Sequence, residues 1–153
     1  MDLKPYLLTF INLWPPFLFT GIKVEKMSKD YRHLVVKLKL RFYNANYVGT
    51  QFGGAIFSMA DPFYMVMLLN NLGPEYSVWD KSASIRYVKP GKTDLIAEFL
   101  ITEQDLDSIR TTLQNQEKME WNRKVIIKDK NGELIAEVDK TLSIKKRDTK
   151  KKD

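Results

Sequence analysis

The chain contains no cysteine and only one histidine, His33, among its 153 residues. The first absence excludes disulfides, thiolate zinc sites and a thiol nucleophile. The second means that any metal site would have to be built mostly from carboxylates. No cluster of carboxylates at ligand spacing occurs, so no metal is expected. Long uninterrupted apolar runs are also missing. Leu7 to Phe19 is too short to span a bilayer and is broken by Pro15-Pro16. It lacks the basic start and small-residue cleavage site of a signal peptide. Gly53 to Leu69 approaches spanning length but carries Asp61 and Pro62 in its middle, and a charge at the bilayer centre is costly. No membrane span is expected, and the cytoplasm is the expected location.

What is present fits one globular domain. The composition is 44% hydrophobic and 29% charged, enough for a real core and too short for two. The formal charge is +6, but the last nine residues, Lys145 to Asp153, supply +4 of it. The body is therefore close to neutral, as in ordinary soluble domains. The expected organisation is a domain over 1–145 and a basic flexible tail over 146–153. A solvated tail is the expected reading, and nucleic-acid binding is disfavoured.

Periodicity sets the order of elements. Asp2 to Leu13 reads as an amphipathic helix with Leu3, Leu7, Phe10 and Trp14 on one face, ended by Pro15-Pro16. A strand follows at about Phe19 to Met27. In a second, Val36, Leu38, Leu40 and Phe42 alternate with Lys37, Lys39 and Arg41. A polar turn leads to a long helix over about Phe52 to Asn71. That helix is apolar nearly all round, so it must be covered on nearly all sides. Strands at about Tyr76 to Val88 and Thr93 to Ile101 come next. Thr102 and Asp105 resemble a capping box for a short helix with a Leu106, Ile109, Leu113 face. A hairpin closes the chain, its strands at about Met119 to Lys128 and Glu133 to Ile144 around the turn pair Asn131-Gly132. This order describes an α+β protein in which a six-stranded antiparallel sheet wraps a long central helix, the hotdog fold. A plain layer of helices on one sheet face is the alternative.

Three features around the central helix have a chemical reading. Gly53-Gly54 opens the helix, where free N–H groups and the helix dipole can stabilise an oxyanion. Paired glycines can equally serve the turn or close packing. Asp61 is a carboxylate in apolar company. Burial would raise its pKa and suit it to act as a base or nucleophile. A satisfied buried Asp or an interface contact is the other reading. Pro62 cannot donate to the carbonyl of Ser58, so it bends the chain beside Asp61, either to aim the carboxylate or to let the helix follow a curved sheet. Eight residues separate Gly53 from Asp61, about 12 Å along a helix axis. One thioester carbonyl cannot touch both. If both act, they come from two subunits of a homodimer.

Asn46, Gly49-Thr50, Gly53-Gly54, Ala55-Ile56-Phe57 and Asp61 together resemble the signature of hotdog-fold acyl-CoA thioesterases of the phenylacetate-pathway type. Gly49 to Gly54, Met59 to Phe63, Val78 to Ile85 and Lys89-Pro90-Gly91 are similar to an uncharacterised hotdog branch that also forms the C-terminal domain of YiiD-type proteins. The resemblance covers about residues 5 to 145. It implies an acyl-thioester site at a dimer interface, often within a tetramer, with coenzyme A thioester as substrate or ligand and no other cofactor. It implies Asp61 as nucleophile or base, the Gly53 and Gly54 amides as oxyanion donors, and Asn46 positioning water or the carboxylate. The pattern departs at two positions. Phe52 stands where the phenylacetate type carries His, and Gln51 where the other branch carries it. Gln51 can hydrogen-bond a carbonyl but cannot shuttle a proton at neutral pH, which leaves a non-catalytic acyl-CoA or fatty-acyl binding protein as the alternative.

The remaining candidates are substrate contacts. Phe52, Phe57 and Ser58 lie on the central helix. Lys81, Ser82, Ser84, Arg86 and Lys89 lie on and just after the third strand, where the cations could meet coenzyme A phosphates or be a solvated face. Trp79 and Trp121 are expected in the core or an interface, and Met59, Met65 and Met67 in the core. His33 is expected at the surface.

Overall fold

The computed structural model of the chain describes residues 7–147. Helix α1 (Leu7–Leu13) and helix α2 (Pro15–Thr20) precede strands β1 (Ile22–Met27) and β2 (His33–Leu38). A loop leads to α3 (Gly53–Ser58) and α4 (Phe63–Leu72). Then come β3 (Tyr76–Tyr87), β4 (Leu95–Leu100), α5 (Glu103–Asn115), β5 (Lys118–Asp129) and β6 (Leu134–Lys146). The six strands form one antiparallel sheet in the order β1-β2-β4-β5-β6-β3. Apolar residues of one sheet face join α2, α3, α4 and α5 in a continuous core. This is the α+β arrangement expected from the pattern of elements.

Alternation selects the core face of each strand. Leu34, Val36 and Leu38 of β2 are buried, as are Leu95, Ala97 and Phe99 of β4. On β5 the inward row includes Trp121, Val125 and Ile127, and on β6 it is Ala136, Val138, Lys140, Leu142 and Ile144. On α4, Phe63, Tyr64, Met67, Leu68 and Leu72 are buried, while Met65 and Leu69 pack against the core from its flanks. Phe63 and Tyr64 both meet Phe99, and Tyr64 also meets Trp121 edge-on.

Several boundaries depart from the sequence expectation. The central helix is two helices, because Met59 to Pro62 form a turn between α3 and α4. Pro62 cannot donate to the carbonyl of Ser58, and the Asp61 amide takes that acceptor in a tighter turn, at 3.1 Å. Pro15-Pro16 ends α1 but also opens α2, where proline at the first helical positions loses no hydrogen bond. Residues through Thr20 are therefore helical, and β1 starts at Ile22. Phe10 points outward rather than into a buried stripe, and Leu3 lies outside the described residues, as does the tail beyond Arg147. β2 stops at Leu38, so Leu40 and Phe42 belong to the following loop, with Phe42 almost fully exposed.

Two local devices fix elements beside the core. Gly21 closes α2 in the left-handed region (φ 83°), and its Cα faces the Asn44 side chain, which donates to the carbonyls of Thr20 and Lys39, both at 2.7 Å. A Cβ at Gly21 would lie 2.3 Å from Asn44 Nδ2 and 2.9 Å from the Lys39 carbonyl. Gly21→Ala is therefore expected to destabilise the protein by about 2 kcal/mol or more, a fall in Tm of roughly 5 °C or more that calorimetry would detect. At α5, Thr102 and Asp105 form the expected capping box, and Arg123 also donates to Asp105. Burial pushes the Asp105 carboxyl up, but the hydrogen bonds from Thr102 and Arg123 outweigh it and hold the group below its ordinary value. A carboxyl with a depressed folded pKa stabilises above its unfolded value, about 3.9, and loses that contribution as pH falls through the folded one. The stability gap between wild type and Asp105→Asn should therefore shrink between pH 6 and pH 3 in urea titrations.

Candidate active site at the helix break

The break between α3 and α4 sits on the core face of β6 and β3. The inward row of β6 would put a fifth apolar side chain at position 140, but a lysine stands there, its side chain only 1% exposed. Lys140 Nζ donates to the backbone carbonyl of Asp61 and lies 3.5 Å from Asp61 Oδ1. It also lies 2.8 Å from Asp80 Oδ1 of β3, a close ion pair in which that buried oxygen has no other partner among the described residues. Asp80 reaches this face by plain alternation, in the row Tyr76, Val78, Asp80 that pairs with Lys146, Ile144 and Leu142 of β6, and a bulge follows directly after it. Asp80 pairs with Leu142, Ser82 with Thr141 and Ala83 with Lys140, so Lys81 is an extra residue. Without it, positions 80 and 83 would face opposite sides of the sheet.

Asp61 itself is not buried. Its side chain is 69% exposed, so the burial expected for it is absent and the argument from burial to a stronger base does not hold. The turn lifts the residue off the helix axis and out of the packed layer. The carboxylate instead stands at the rim of a cleft of about 280 Å³ lined by Trp14, Pro16, Phe17, Thr20, Phe57, Ser58, Asp61 and Pro62. This is near the lower end of the volumes of small-molecule sites, roughly 300 Å³. Its wall is mostly apolar. Ser58 Oγ donates to the Gly54 carbonyl at 2.8 Å.

Three sequence candidates thus come together here: Asp61, Phe57 and Ser58. The others are placed elsewhere. Asn46 organises its own loop, accepting from the Val48 and Thr50 amides and donating to Thr50 Oγ1 and the Gln51 carbonyl. All of these contacts are internal, and none reaches Asp61. Gln51 is buried and donates through Nε2 to the carbonyls of Leu38 (3.2 Å) and Thr93 (3.1 Å). It ties the loop to the sheet rather than facing the cleft. Phe52 is exposed, and its ring lies against Gly54.

The glycine pair has a packing reason. A Cβ on Gly54 would lie 2.5 Å from the Phe52 ring, and one on Gly53 3.1 Å from Tyr87 Oη. Tyr87 Oη donates to the Gly53 carbonyl at 2.9 Å. The opening N–H groups of α3 point back along the helix, away from Asp61 at its other end. α3 alone separates its two ends by roughly 8 Å along the axis. In one chain, therefore, the Gly53 and Gly54 amides and the Asp61 carboxylate face different spaces.

The third-strand cations are engaged on or beside the sheet. Lys81 pairs with Glu120, Arg86 with Glu137 at 2.6 Å and Lys89 with Glu133. Ser82 and Ser84 are exposed on the face opposite Lys140. Trp121 is buried, whereas Trp79 is 68% exposed. His33 is partly exposed and meets Glu98. Among the described residues, no three His, Cys, Asp or Glu side chains gather as a metal site, and no helix is long and apolar enough to cross a membrane.

Lys140 and Asp80 were missed by sequence reasoning. Lys140 had a signal, a basic residue in the row Ala136, Val138, Leu142, Ile144. Asp80 had one as well, its place in the alternating row Tyr76, Val78, Asp80. For Gln51 the structure predicts a structural role. Gln51→Leu leaves two backbone carbonyls without their side-chain donor and should cost about 1–3 kcal/mol in denaturant unfolding.

Solved structures share this fold. A protein of unknown function from Pseudomonas aeruginosa, described as a probable thioesterase, superposes with a TM-score of 0.82 at 18% identity, covering 95% of each chain. A protein of unknown function from Chlorobaculum tepidum TLS gives 0.74 at 17% identity, again over 95% of each chain. A thioesterase from Haemophilus influenzae gives 0.67 at 13% identity, over 91% of this chain and 88% of its own. At these identities the likeness establishes the hotdog fold. Among curated proteins, none matches the sequence. A family model described as a domain of unknown function, DUF4442, matches residues 6–144, and the chain belongs to that family.

Proposed function

We propose that the protein is an acyl-thioester hydrolase, with acyl-CoA as its substrate class, and that its active site is shared between two subunits. The observation that carries this reading is the Asp61 carboxylate, exposed at the rim of an apolar cleft while the backbone beneath it is held by a buried lysine. An acyl chain would lie against Trp14, Phe17 and Phe57. Asp61 would take a proton from water as the oxygen attacks the thioester carbonyl. Collapse of the tetrahedral intermediate breaks the C–S bond, and the proton passes to the departing thiolate, giving a carboxylic acid and a free thiol.

The oxyanion needs donors that the same chain does not aim at this point. The Gly53 and Gly54 amides of a second copy would supply them if the central helices run antiparallel across a dimer axis. The exposed Phe52 and Trp79 give such a contact apolar surface to cover. The same dimer, or a tetramer of it, would place the coenzyme A phosphates near Lys81, Arg86 and Lys89, where they would compete with the glutamates that now hold those cations. The cytoplasm, where acyl-CoA is made and used, is the proposed setting.

A second reading has its own observation. Gln51 is committed to backbone carbonyls and Phe52 carries no proton-transfer group, which leaves Asp61 as the only ionisable side chain lining the cleft among the described residues. A binding protein that holds acyl-CoA without turnover needs no more than that.

The two readings separate in one set of measurements. Purified protein assayed on short, long and aromatic acyl-CoAs should release thiol, and Asp61→Ala should lower kcat by about a hundredfold or more with an unchanged Tm. Calorimetric binding with no turnover on the whole panel would favour the binding protein. A monomer by light scattering at assay concentration would sink the shared site.

A further inference from the structure

Lys140 is a buried cation that the hydrolysis scheme above does not use. Its neighbours along β6, Val138 and Leu142, are wholly buried, and so is Val125 of the adjacent strand. A lysine here carries a desolvation cost that a methionine or leucine would avoid. Its ammonium has three hydrogens and two kinds of partner. One is the Asp80 carboxylate at 2.8 Å, which balances the charge. The other is the carbonyl of Asp61, together with the edge of its carboxylate at 3.5 Å. The neighbouring inward cation, Arg123, sits directly across the ladder from Lys140, but its guanidinium is turned to Asp105 and lies 4.0 Å over the Trp121 ring. Among the described residues, Lys140 is the cation that meets the turn.

That turn would otherwise be loosely held. Pro62 removes one backbone donor, and the carbonyl of Asp61 lies outside both helices, as α4 begins its ladder with Val66 donating to Pro62. An unpaired carbonyl over a packed sheet is costly. Lys140 pairs it, and in doing so fixes the backbone from which the Asp61 side chain projects to the cleft.

We propose that Lys140 is the positioning residue for Asp61: anchored by Asp80, it clamps the Asp61 carbonyl at the helix break and so holds the carboxylate at the cleft rim. The inference rests on the reading of Asp61 as the catalytic group, but the clamp itself is a statement about the fold and can be tested without turnover. Lys140→Met alone strands the Asp80 carboxylate against the core and can unfold the chain. The paired variant Lys140→Met with Asp80→Asn removes both charges together and keeps the volume.

The experiment compares wild type with this paired variant. Thermal unfolding should show that the variant folds. Hydrogen exchange followed by mass spectrometry should show faster exchange, by about tenfold or more, in peptides spanning residues 57–66, with the β2, β4 and β5 peptides unchanged. On an acyl-CoA that wild type hydrolyses, kcat should fall about tenfold or more while KM stays within about twofold, as expected when a bound substrate meets a misplaced carboxylate. Unchanged exchange at the turn would overturn the proposal, as would wild-type kcat in the folded variant. If wild type hydrolyses no thioester, the hydrolase reading falls, and the exchange result alone decides the clamp.

Discussion

A lysine inside an apolar layer is the constraint around which the site is arranged. Lys140 can occupy the core row of β6 only if something neutralises it and something accepts its hydrogens. The first need is met by Asp80, which continues the inward row of Tyr76 and Val78 on β3. The second is met by the carbonyl of Asp61, which is free because Pro62 interrupts the helix there. Inward carboxylate, helix break and buried charge are thus one device spread over three elements.

The same device explains why Asp61 is exposed in a stretch that is otherwise apolar. An unbroken helix over residues 53–72 would carry position 61 on its cylinder, close to the sheet or to its own neighbours. Breaking the helix lets the carboxylate stay hydrated while Met59, Ala60 and Phe63 on either side are buried. Hydration spares Asp61 the desolvation that burial would impose. Under the proposed hydrolase reading, its reactivity comes from placement rather than from burial.

Much of the fold could be read from the sequence. The six strands follow from two-residue alternation and from turn pairs such as Asn131-Gly132, and the α5 start follows from Thr102 and Asp105. The central helix was readable in extent but not in continuity. Pro62 signals a bend, yet whether a proline kinks a helix or ends it depends on whether the orphaned carbonyls find partners, and that partner lay 79 residues away. Gln51 and Asn46 illustrate the opposite difficulty. Their types and spacing fit a chemical signature, but their hydrogen bonds are spent on the loop. Side-chain amides serve both purposes, and only tertiary placement separates them. The glycine pair was legible as a place needing little side chain. That Phe52 and Tyr87 occupy the space depends on packing.

The cleft has two walls of different origin. One is the α3–α4 turn, tied through Lys140 to the centre of the sheet. The other is the short N-terminal helix pair, with Trp14, Pro16 and Thr20 presented from α2 and its entry and Gly21 as the pivot against Asn44. These walls share few residues, so selection can act on them separately. Under the proposed hydrolase reading, changes of bulk at Trp14 or Thr20 would alter which acyl chains fit without disturbing the Asp61 turn, a division of labour through which one scaffold can diversify its ligands.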